Sequence, residues 1–354
     1  MNAALLQQIP RSPGVWAQAW MRLRTDRVGM IALAITVFFV GLVLLAQLGW
    51  VAGDWQREVG KPYAPPHFVG AIADGSQTAV VDAPTGAMVD LSAIDPLAPR
   101  YKEWAERAAK FTTSDTVKTD TLPFGGDRLG RDVLSKAVKG AQVSIAVGLV
   151  AALFATLIGT VLGAVGGYFG GKVGDVLEWI YNVFTAIPYI LLVFALAAVL
   201  KSGPLAGSLG NGIWTVVIIL SVVGWTGIYR LVRAEYMKHR SREYVRAAEA
   251  IGASHLSRMF VHILPNVSHV VLVQLSLHVV SFIKSEVILS FLGLGVPVDM
   301  VSWGTMLSEA QVELVLGKWW QLVAATGFMA TFVTAFALLT DALRDALDPK
   351  LKNL

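Results

Sequence analysis

The chain has 354 residues, of which 55% are hydrophobic and only 15% charged, with a net charge of +4 and no cysteine. Soluble domains carry about 25% charged residues, so this balance points to a bilayer protein and away from a soluble enzyme. The lack of cysteine excludes a disulfide framework and any thiolate metal centre, and the charge is too modest to point to nucleic acid.

Residues 1–27 lack a short apolar core followed by a small-residue cleavage site. The first apolar run is therefore read as a retained span, not a signal peptide. A helix needs about 20 apolar residues to cross the hydrocarbon core. Six stretches qualify: 28–48, 140–171, 179–200, 211–229, 267–290 and 319–340. The expected fold class is an all-α, multi-pass membrane protein with six transmembrane helices. The chain divides into an N-terminal segment (1–27), a first span (28–50), an insertion (51–126), a main transmembrane domain (127–342) and a C-terminal tail (343–354).

An even number of spans puts both termini on one side. With the N-terminus inside, the inner segments hold fifteen Lys and Arg, against one in each short outer loop, Lys201 and Lys318. The long outer loop, 49–139, holds 11, but loops beyond about 60 residues cross largely regardless of charge. Both termini are thus expected in the cytoplasm. Within the insertion, "TAVVDAPTGAMVDL" (78–91) reads as two short strands around a turn, and "PRYKEWAERAAKF" (99–111) as a short helix. After it, "GGDRLGRDVLSKAVKGAQ" (125–142) carries an apolar side and an i,i+4 pair, Asp132 with Lys136. This predicts a helix lying in the interface plane before the second span. Trp303, Trp319 and Trp320 are expected as interfacial anchors.

The segment between spans four and five, "RSREYVRAAEAIGASHLSRMFVHILPN" (240–266), is charged and faces the cytoplasm in this scheme. A first helix is predicted from Arg242 to Ile251. Gly252 breaks it, since glycine tolerates positive φ. Ser254 N-caps a second helix ending at Leu264, and Pro265 starts the next span, where its missing N–H costs nothing. Ala247, Ala248 and Gly252 make a small face that another surface can approach closely, with Arg242, Arg246 and Arg258 as charged contacts around it. A short helical hairpin of this kind is a docking device.

This segment resembles the EAA motif of membrane subunits of bacterial ATP-binding-cassette importers, Glu-Ala-Ala-x-x-x-Gly followed after a spacer by Ile-x-Leu-Pro. Ala247, Ala248, Gly252, Leu264 and Pro265 fall in register, while Arg246 replaces the Glu and His262 the first Ile. "DRLGRDVLSKAVKGAQVSIAVGL" (127–149), "GGYFGG" (166–171), "HILPN" (262–266), "LSFLGLGVP" (289–297), "SWGTML" (302–307) and "DALRDALDPKL" (341–351) resemble the C-type permease subunit of dipeptide/oligopeptide importers. The likeness covers nearly the whole chain, apart from an insertion longer than typical.

The resemblance implies a type I importer fold in the bacterial inner membrane. It implies a homologous B-type permease, two cytoplasmic ATPase subunits carrying the ATP and Mg, an extracytoplasmic substrate-binding protein, and a peptide cargo. This chain itself then binds no cofactor. The implied ATPase-coupling residues are Arg242, Tyr244, Arg246, Ala247, Ala248, Gly252, Ala253, Leu264 and Pro265. Nickel, glutathione or a modified peptide are alternative cargoes.

Other chemistry is weaker. "GGYFGGKV" (166–173) imitates a phosphate-binding loop, but Val173 stands where Ser or Thr must ligate Mg²⁺; its glycines are expected to turn the second span sharply. His255, His262 and His269 have no carboxylate in their interval and no i,i+4 spacing, which disfavours a metal site. Lys284 and Glu286 lie within the fifth span, where charge is costly and often functional. Two residues apart is about 200° on a helix, so they pair poorly with each other. They are candidates for the translocation path or the gate between permeases. A stand-alone secondary carrier or channel is the rival reading and predicts inverted repeats and broken helices. A membrane scaffold without transport is a second.

Overall fold

The structure, a computed structural model, describes residues 15–70, 97, 100–108, 118–202, 212–297 and 299–347. Among these it is all-α apart from isolated bridges. The helices are α1 (Val15–Thr25), α2 (Arg27–Gln47), α3 (Tyr101–Ala108), α4 (Val133–Phe169), α5 (Gly171–Ala186) and α6 (Tyr189–Ser202), followed by α7 (Ile213–Arg240), α8 (Glu243–Ala250), α9 (His255–Phe291), α10 (Trp303–Val315) and α11 (Trp320–Leu347). The chain forms two compact units, Gln56–Val133 and the remainder.

Among the described residues, five helices are long and apolar enough to cross a membrane: α2, α4, α7, α9 and α11. A sixth span exists only if α5 and α6 count as one, and they meet at 91°. The span expected over 179–200 is therefore not one continuous helix. Pro188 is the cause: its ring disfavours the helical region for the preceding residue, and Ile187 is extended at φ −96°, ψ 131°. The helix expected in the interface plane before the second span is also absent. Residues 127–132 form a turn, and α4 runs on from Val133 as one helix of 37 residues, about 55 Å long at 1.5 Å per residue. It stops at Phe169 because Gly170 and Gly171 take φ of +63° and +48° and swing the chain into α5. Two helices are unforeseen. One is α1, ahead of α2. The other is α10, whose capping box joins Ser302 to Thr305.

The glycines of α4 set its distance from α7. Gly159, Gly163 and Gly167 recur every fourth residue and face Trp225–Ile228, Tyr229–Val232 and Arg233–Tyr236 in turn. A Cβ on Gly163 would lie 2.8 Å from the Tyr229 carbonyl oxygen, and one on Gly167 2.5 Å from that of Arg233. Small residues spaced in this way let helix backbones touch where lipid supplies no hydrophobic driving force. On the other side α2 packs on α11, with Phe39 against Phe332 at 5.4 Å between ring centroids. Trp303 and Trp320 are buried among the helices, and Trp303 Nε1 donates to the Ala137 carbonyl at 3.1 Å. They are packing residues, not belt anchors; Trp319 alone of the three is partly exposed.

In the smaller unit, short bridges link Glu58 to Arg131, Gly60 to Thr119 and Pro66 to Leu122. The helix expected at 99–111 is present as α3. The strands expected at 78–91 lie outside the described residues.

Candidate functional site

The hairpin is built from ordinary helix-end chemistry. Arg242 sits at the N-cap of α8 in an extended conformation, so the helix starts one residue later than expected. Its end is closed by Gly252 at φ +85°, which lets Gly252 N–H reach Glu249 O and Ala253 N–H reach Ala248 O, each at 2.9 Å. These bonds satisfy carbonyls a helix terminus leaves open. Ser254 Oγ then accepts from Ser257 N–H at 3.2 Å and starts α9. Pro265 falls in the first turn of the α-helical stretch Leu264–Phe291, as expected, but the chain makes no break before it. Instead Arg258–Ile263 form a π-helical turn that runs directly into the span. Proline supplies no N–H and crowds the carbonyl four residues back, and the wider π register relieves that crowding without breaking the rod.

The expected small face is divided. Successive helix residues point about 100° apart, so Val245 and Ala248 share the inner side of α8 while Ala247 faces out. Val245 and Ala248 are buried, and Val245 packs with Tyr168, Val232, Tyr236, Met259 and Ile263. Arg242, Tyr244, Arg246, Ala247 and Gly252 are exposed. Ala253 and Leu264 are half-buried and Pro265 is exposed. The Tyr244 hydroxyl pairs with His239 Nδ1 at 2.8 Å, and partial desolvation of the phenol pushes it above its ordinary range.

Two residues on this surface escaped the sequence reading. Ile251 is 84% exposed and Leu256 67% exposed, on either side of Gly252. Their signal was an apolar residue at a helix end with no heptad or span to serve. Arg258, expected as a surface contact, is instead buried. It holds Glu249 at 2.6 Å and His255 Nδ1 at 3.0 Å, and lies 5.8 Å from the Tyr168 ring centroid.

The two intramembrane charges are separated. Lys284 lies on the exposed side of α9, whereas Glu286 is fully buried. Ser290 Oγ donates to Glu286 Oε1 at 2.6 Å, and the hydroxyls of Ser144 and Ser302 face the same carboxylate. Glu286 Oε2 has no hydrogen-bond partner among the described residues. A second buried polar set joins α4, α10 and α11: Lys136 Nζ meets Glu309 Oε2, and Gln321 Nε2 donates to that oxygen at 3.1 Å. The sequence had placed Lys136 on an interfacial helix, where burial was not foreseen.

Residues 143–353 match the family described as binding-protein-dependent transport system inner membrane component. Residues 14–66 match the N-terminal TM domain of oligopeptide transport permease C. The dipeptide transport system permease protein DppC of Bacillus subtilis (strain 168) is 38% identical over 230 residues, covering 65% of this chain and 69% of that protein. The oligopeptide transport system permease protein OppC of the same organism is 35% identical over 248 residues, covering 69% and 78%. The glutathione transport system permease protein GsiD of Salmonella typhimurium is 40% identical over 230 residues, covering 65% and 73%. A solved MetNI methionine ABC transporter chain is similar at a TM-score of 0.47 and 16% identity, over 60% of this chain and 96% of that one. With a family match over more than half of its length and two relatives of which it covers over two thirds, the chain belongs to the inner-membrane permease components of binding-protein-dependent ABC importers.

Proposed function

We propose that this chain is the permease subunit of an ATP-driven importer of di- and oligopeptides with a type I importer fold, sharing its translocation path with a homologous permease. Family members are transport subunits, not enzymes, so ATP and Mg belong to two ATPase partners. The observation that carries the reading is the hairpin surface: Ala247, Ile251, Gly252 and Leu256 form an exposed, small and apolar tip between two long spans, edged by Arg242 and Arg246. An exposed apolar tip on a short polar loop fits a protein partner. The excess of Lys and Arg on the same side supports a cytoplasmic hairpin and cytoplasmic termini. An extracytoplasmic binding protein would deliver the cargo from the opposite face. ATP and the loaded binding protein each favour one state of the permease pair.

The peptide assignment draws on the dipeptide and oligopeptide relatives. Glutathione, itself a short peptide, is the second reading, drawn from the relative at 40% identity. Of the intramembrane charges, Lys284 is the path candidate that lies on the chain's surface; Glu286 reaches the path only if the helices around it move apart.

Co-purification with the two ATPases, followed by uptake in proteoliposomes, tests the reading. Ile251→Asp puts a charge at the centre of the tip and is expected to weaken ATPase binding by about 2 kcal/mol or more, the scale of an interface anchor. Full ATPase binding by that variant removes the hairpin tip from the interface. Competition of labelled dipeptide against glutathione then separates the two cargoes.

A further inference from the structure

The hairpin joins the fifth span through the π-turn at Arg258–Ile263, directly before Pro265. Such a turn is the place where a helix bends, because its hydrogen-bond ladder is shifted and proline removes one donor. A push on α8 could be absorbed there. Arg258 is the first residue of that turn, and its side chain is only 9% exposed. Its guanidinium touches three elements at once: Glu249 on α8 at 2.6 Å, His255 at the start of α9 at 3.0 Å, and the ring of Tyr168 at the end of α4 at 5.8 Å. The Tyr168 hydroxyl also meets His255 Nδ1, at 3.0 Å. Arginine has donors only, so Nδ1 is the acceptor and the imidazole proton sits on Nε2. The Tyr236 hydroxyl ties α7 to the same turn through the Met259 carbonyl at 3.0 Å.

We propose that Arg258 is a positioning residue: it braces the hairpin against α4 across the π-turn, so that a displacement of α8 is carried into the spans instead of being lost in a local bend. This rests on the reading of the hairpin as the ATPase dock, and adds to it the route by which motion leaves the dock. Burying a guanidinium is costly unless it is paired. Lysine has no planar fork with which to hold Glu249 and His255 together.

The test uses the purified complex with its ATPases in proteoliposomes, reading ATPase affinity and peptide imported per ATP hydrolysed. Arg258→Gln is expected to keep ATPase affinity within about twofold while lowering import per ATP by about tenfold, in the usual range of coupling between sites. Arg258→Lys is expected to recover only part of it. Glu249 is largely exposed, so Glu249→Ala folds even if Arg258→Gln does not, and it is expected to lower import per ATP in the same direction. A purely structural role predicts import and hydrolysis falling together, with their ratio unchanged; that result in Glu249→Ala and any folded Arg258 variant overturns the brace. Failure of the unaltered complex to bind ATPase through the hairpin overturns the docking reading and the brace with it.

Discussion

At the scale of single residues, two charges two positions apart meet opposite fates. Lys284 stays on the surface of α9, and Glu286 is enclosed by serine hydroxyls from α4, its own helix and the cap of α10. Their substitution should therefore differ. Lys284→Ala is expected to lower peptide uptake with an unchanged melting temperature and intact ATP hydrolysis. Glu286→Ala is expected to lower uptake and also stability, by about 1–3 kcal/mol, because Ser290 loses its buried acceptor. Uptake and thermal unfolding of the detergent-purified complex check both, and unchanged uptake in either variant removes that residue from the mechanism. The chemistry of these two side chains was legible in the sequence, as was their inability to pair. Which of them would be buried was not, because the groups around Glu286 come from residues such as Ser144, far away in the chain. Arg258 shows the same limit: Tyr168, its aromatic partner, lies 90 positions earlier.

At the scale of elements, helix ends are legible in the sequence and helix faces less so. Gly252 and Ser254 stop and restart the backbone through bonds to immediate neighbours, so their roles follow from local sequence. Pro188 and Pro265 are equally local, yet one breaks a span by 91° and the other is absorbed in a π-turn. The difference lies in the surroundings, since the turn before Pro265 is held by Tyr236 and Arg258. The regular spacing of Gly159, Gly163 and Gly167 was visible in the sequence, but the helix they would approach was not. Gly163→Leu should force α4 away from α7, since even a Cβ there comes 2.8 Å from a backbone carbonyl oxygen. The expected cost is about 1–3 kcal/mol, read as a lowered midpoint in unfolding of the purified chain. An unchanged midpoint means the two helices do not rely on this contact.

At the scale of the whole molecule, topology carries the functional reading. With no cysteine in the chain, a single Arg246→Cys substitution on the exposed side of α8 reports which face of the membrane the hairpin occupies. An impermeant thiol reagent should label it in inside-out vesicles and leave it unlabelled in intact cells; the reverse result would invert the proposed orientation. By itself the sequence determined that this chain lies in a membrane, roughly where it crosses, and where a polar hairpin interrupts the spans. Those properties depend on apolar length and on hydrogen bonds between near neighbours. Only the tertiary structure decided that Ala248 turns inward while Ala247 turns out, that Trp303 packs inside, and that Lys136 finds Glu309 173 positions later. Burial and pairing are settled by which helices come together, and that choice rests on contacts between residues far apart in the chain.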